Sequence, residues 1–111
     1  MGGEFSTMSK KQIERIEKME ARLDAARLAV DALSEAMDQY EAAQRKYYEL
    51  ANYYGSVQWM DDYDADEAGK LPPELKRGVL SEDAAYDLIT DHRQLMTRLQ
   101  KAVLKSLEED V

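Results

Sequence analysis

SKKQIERIEKMEARLDAARLAVDALSEAMDQYEAAQRKYYELANYY, residues 9–54, contains neither glycine nor proline. Its apolar residues fall at Ile16, Met19, Leu23, Ala26, Val30, Leu33, Met37, Tyr40, Tyr47, Ala51 and Tyr54, with Gln44 filling one place in the series. The steps alternate three and four, so these positions share one stripe of a helix. Ile13, Ala43 and Leu50 widen the stripe, which suits a bundle face better than a strict two-stranded zipper. Glu, Lys, Arg, Ala and Gln, all good helix formers, fill the rest. Glu14 with Lys18, and Glu41 with Arg45, are acid-before-base pairs one turn apart. Ser9 is the expected N-cap, with Gln12 as its capping-box partner. Gly55 is the expected stop, because it enters the left-handed region without a Cβ clash. A helix of about 45 residues is a rod of roughly 68 Å, and a rod cannot bury its own stripe.

The remaining chain reads as shorter pieces. Ser56 can cap a helix through about Asp66, with Trp59, Met60 and Tyr63 on its apolar side, and Gly69 ends it. Leu71-Pro72-Pro73 is a sharp break, and Pro73 suits the first position of a single turn, Pro73–Arg77, closed by Gly78. Ser81 caps a last helix reaching about Glu108. There Leu80 and Ala85 stand at staple positions, and Glu82, Asp83 and Asp87 lie at the positive end of the dipole. The apolar face of that helix is Ala85, Leu88, Ile89, His92, Leu95, Met96, Leu99, Ala102, Val103 and Leu107. The expected fold is all-α. The long helix (9–54) and the C-terminal helix (81–108) pack antiparallel, with a short helix (56–68) and a Pro-containing connector (69–80) at the turn end. Met1–Thr7, MGGEFST, has the look of an expression-tag remnant, so residues 1–8 are set apart from a single helical domain, 9–111. The last helix is shorter than the first by roughly 28 Å, which leaves Ile13, Ile16 and Met19 for another molecule to cover. A homodimer through the long helix is the favoured expectation.

Composition narrows the function. The 111 residues carry a net charge of −8, which opposes attraction to nucleic acid or an anionic membrane. No apolar run approaches the roughly 18 residues of a membrane span. The absence of cysteine excludes disulfides and thiolate metal sites and fits a cytoplasmic protein. Charge is uneven: residues 55–68 hold five acids and no base, and residues 69–80 hold three bases and one acid.

The segment Tyr54-Gly55-Ser56, Trp59, Asp62 and Gly69-Lys70-Leu71-Pro72-Pro73, followed by Leu75-Lys76-Arg77-Gly78-Val79-Leu80-Ser81-Glu82-Asp83, resembles a family of small bacterial proteins. That family is catalogued as domain of unknown function 4298. The resemblance runs from about Ile13 to Leu104, and KLPPELKRGVLSED is its specific part. It implies a small all-helical bacterial protein and supplies no catalytic residue.

Candidate chemistry is sparse. Asp62, Asp64 and Asp66 match the first acids of a calcium loop, but Glu67 stands where the loop needs Gly and Pro73 where it needs Glu. Solvated acids, or partners for Lys70, Lys76 and Arg77, are the plainer reading. His92 is the only histidine, and Ile89 precedes it by three, so the Glu-x-x-His motif of di-metal bundles is missing. It reads as a packed histidine. Ser56, Ser81 and Ser106 read as caps or surface, with no nucleophile elbow, and no glycine loop cradles phosphate. Tyrosines and Trp59 gather near the turn end, either as bundle filling or as an aromatic groove.

No catalytic residue, cofactor or metal site is expected. The candidate partner-contact residues are Tyr48, Tyr53, Trp59, Tyr63, Leu71, Lys76 and Arg77. The leading expectation is a non-enzymatic protein–protein interaction module with no nucleic-acid or membrane partner. An acidic mimic that blocks a basic surface comes second, and a small metal-dependent enzyme third.

Overall fold

A computed structural model describes residues 7–110, and residues 1–6 of the expected tag lie outside that range. The described chain is all-α, in the order α1 (Thr7–Tyr53), α2 (Val57–Glu67), a 3-10 turn (Gly78–Leu80) and α3 (Glu82–Glu109). Two units are distinguished, Met1–Gln44 and Arg45–Val111, with α1 running unbroken through the boundary.

In the first unit the described chain is helix and nothing else. α1 is already helical at Thr7, so Ser9 lies inside it rather than capping it. Thr7 and Met8 carry the helix past a serviceable cap. The stripe is open: Ile13, Ile16, Met19, Leu23, Val30, Leu33 and Met37 are between 38% and 60% exposed. Leu28, which the stripe omits, is 74% exposed on another face. Arg27 binds Asp31 at 2.7 Å, one turn on.

The second unit holds the core. Its three buried apolar residues are Trp59, Leu80 and Ala85. Trp59 comes from α2, Leu80 from the 3-10 turn and Ala85 from the first turn of α3, so each element contributes one. The end of α1 runs antiparallel to α3. Tyr54, just past α1, donates from its hydroxyl to the Glu82 carbonyl at 3.3 Å. Tyr47, two turns earlier on α1, stacks on His92, three turns later on α3, at 3.8 Å between ring centres.

Local signals set the ends of these elements. Gly55 takes φ +79° after α1. The Ser56 hydroxyl accepts from the Trp59 amide at 3.1 Å and starts α2. α2 closes in a Schellman motif: Gly69 has φ +70°, its amide donates to Asp66, and the Lys70 amide donates to Ala65. The Ser81 hydroxyl accepts from the Ala84 amide at 3.2 Å and starts α3.

Two expectations need correcting. Pro73–Arg77 is no helical turn. The chain instead makes a β-turn over residues 72–75, closed by the Leu75 amide on the Pro72 carbonyl at 3.1 Å, with Pro73 at the position its fixed φ favours. Gly78 opens the 3-10 turn instead of ending a preceding one. On α1, Arg45 reaches forward to Glu49 at 3.3 Å rather than back to Glu41.

The turn-end cluster as candidate functional site

The turn end is built around one ring. Trp59 is 7% exposed, and its indole N–H donates to the Val79 carbonyl at 3.0 Å. That bond satisfies the polar edge that burial would otherwise leave unpaired. Tyr63, one turn along α2, stacks on it at 5.2 Å, and Tyr54 meets it edge-on at 5.1 Å. Trp59 therefore fills the core and is not presented to a partner, which corrects its place among the contact candidates. Met60, expected on the same apolar side, is instead 49% exposed, because the adjacent residue on a helix points about 100° away.

The other candidates, Tyr63 apart, divide between two surfaces. Tyr53, Leu71, Lys76 and Arg77 line one shallow groove of about 300 Å³, with Asp62, Leu75, Val79 and Leu80. Two ties hold its rim. The Tyr53 hydroxyl donates to the Asp62 carboxylate at 2.5 Å, and Arg77 bridges to Asp66 at 2.7 Å. The acceptor bond to Asp62 favours the neutral phenol, so the Tyr53 pKa rises from 10.0 to about 12. Arg77 also reaches the Pro73 carbonyl at 3.3 Å, which ties the connector to α2.

Tyr48 lies elsewhere. It is 47% exposed, meets Tyr47 edge-on at 5.1 Å, and borders a hollow lined by Tyr47, Ile89, His92 and Met96. Tyr63 joins neither surface. Its hydroxyl reaches Glu82 at 3.2 Å, and its pKa is raised by the charge of Glu67 first and Glu82 second.

A third hollow, lined by Leu50, Lys76, Gly78, Val79, Ala84, Ala85 and Leu88, was missed in the sequence. Its walls come from three elements, and no single stretch carries its signature. Lys76 borders both this hollow and the Tyr53 groove.

The acidic run adopts helical geometry within α2, so it cannot wrap an ion as a calcium loop does. Among the described residues no group of three or more His, Cys, Asp or Glu is placed to hold a metal. Nor is any described helix long and apolar enough to cross a membrane.

No curated protein matches this chain. A family model described as Domain of unknown function (DUF4298) matches residues 16–102, from the open stripe of α1 through the turn-end cluster and into the second half of α3. With that match spanning most of its length, the chain belongs to the DUF4298 family.

Proposed function

We propose that this chain is a non-enzymatic helical module that binds another protein along the apolar stripe of α1. The observation that carries the reading is the row of seven large side chains from Ile13 to Met37, all left open on one continuous helix. Covering the exposed half of each contributes roughly 1 kcal/mol, so the row contributes about 7 kcal/mol. Association costs about 4–15 kcal/mol in lost freedom. A polar surface would leave that cost unmet, whereas a partner helix with a matching apolar row doubles the gain. The occupant is therefore an amphipathic helix laid along the stripe. The cysteine-free sequence supports work in the reducing cytoplasm.

The test is capture from a lysate of the source cell, with the intact chain and with Leu23→Glu, Leu33→Glu as baits. A specific partner should be held by the first and lost by the second, with helicity unchanged. Equal capture by both baits would refute the reading.

A second reading rests on α2. Asp62 and Asp66 are tied to Tyr53 and Arg77, but Asp61, Asp64 and Glu67 stay exposed on the same short helix. These three could meet a basic partner surface. Such a complex should weaken steeply with added salt, while one formed through the α1 stripe should hold.

A further inference from the structure

We propose that the occupant of the α1 stripe is a second copy of this chain, running antiparallel and related by a two-fold axis near residue 28. The proposal rests on the reading of the stripe as a binding surface and names what binds there.

Charge decides the direction. Residues 10–22 carry five bases against three acids, whereas residues 34–46, which the two-fold axis sets opposite them, carry two bases against three acids. Parallel copies would lay each of these stretches against its own net charge. Antiparallel copies lay the net-positive stretch against the net-negative one at both ends, which disfavours the parallel pairing. The first unit is entirely helix where described, and its basic and acidic side chains are exposed along with the stripe, so these charges are available to a neighbour.

The apolar spacing supports the same direction. An alternation of three and four steps meshes with itself when reversed. Setting Met19 against the partner subunit's Met37 also brings Ile16 to the partner subunit's Tyr40 and Leu23 to the partner subunit's Leu33. The two-fold axis repeats each contact, so one patch serves as both surfaces. Arg27 is the residue the axis brings nearest its own copy, and its charge is already compensated by Asp31 of the same helix at 2.7 Å.

The chain has no cysteine, so engineered thiols can report the pairing without interference. Met19→Cys and Met37→Cys are made separately in the full chain and oxidised alone and as an equal mixture. In the antiparallel pair the two residues 19 lie roughly 27 Å apart, eighteen residues at 1.5 Å each. Neither variant alone should then cross-link, and the mixture should yield a disulfide dimer joining one of each. Sedimentation of the unmodified chain should give twice the chain mass. Cross-linking of each variant with itself would mean parallel copies and would overturn the proposal. A single-chain mass at the highest soluble concentration would also overturn it. If that monomer still loses a captured protein when Leu23 and Leu33 become Glu, the second copy is excluded and the stripe as a binding surface stands.

Discussion

Residues 7–44 and residues 45–110 are made of similar material and use it in opposite ways. The first unit carries seven large apolar side chains on one stripe and covers none of them. The second buries only three residues, yet those three join three elements. The difference lies in how the chain returns on itself. The second unit has two glycine stops, two serine caps and a proline turn, and so brings separate stretches together. The described part of the first has no break, and a lone helix cannot fold its own face inward. Stability within one chain is therefore concentrated at the turn end, while the described rod leaves its apolar stripe exposed.

That contrast can be broken by substitution. Trp59→Ala should cost about 3–5 kcal/mol of the second unit's stability, since it removes a buried ring, its two aromatic neighbours' contacts and its bond to Val79. Urea unfolding followed by circular dichroism in the aromatic region measures this, and a loss below 1 kcal/mol would mean the core lies elsewhere.

A matched pair of leucines comes next. Leu80 is 6% exposed and Leu23 is 60% exposed. In dilute protein, Leu80→Ala should cost about 2–5 kcal/mol and Leu23→Ala well under 1 kcal/mol. Equal costs would show that the two units do not differ as described. Gly69→Ala should cost about 1–2 kcal/mol, because a Cβ at φ +70° meets no neighbour but is strained in the left-handed region. Gly78→Ala, where φ is not positive and a Cβ meets nothing within 4 Å, should cost nothing comparable, so thermal melting of the two variants isolates backbone strain. Ser81→Ala should cost about 1 kcal/mol through loss of the cap on α3.

The smallest effect is one of pH. Tyr53 ionises at 10.0 in an unfolded chain and at about 12 in the fold, because its hydroxyl is bound to Asp62. The folded state thus holds this proton more tightly. The associated stabilisation is complete below pH 10 and is lost as pH rises through the interval to about 12. Absorbance titration of the phenols should show a late-ionising tyrosine that disappears in Tyr53→Phe. If both proteins give the same curve, the bond to Asp62 does not persist in solution.

Much of the fold was legible because its stops and starts are local. Gly55, Gly69, Ser56 and Ser81 act through partners no more than four residues away, so a short window of sequence contains the whole cause. The staple positions Leu80 and Ala85 likewise turned out to be two of the three buried residues. The start of α1 was misplaced because a serine with a capping partner does not by itself end a helix, and Thr7 and Met8 extend this one.

The candidate site was harder to read. Whether Trp59 fills a core or faces a partner depends on Val79, twenty residues away. Lys76 borders two hollows because the connector passes between elements that sequence spacing does not relate. Leu28 escaped because a search for one stripe discards an apolar residue on another face.

Trp59 is the only tryptophan in the protein and is packed against Tyr54 and Tyr63 at the turn end. Its emission is consequently a local gauge. A fluorescence melt reports the loss of that knot of rings and is blind to events on the rod. Pairing along α1 could form or dissolve without altering the signal, and following it calls for a dye or a mass measurement.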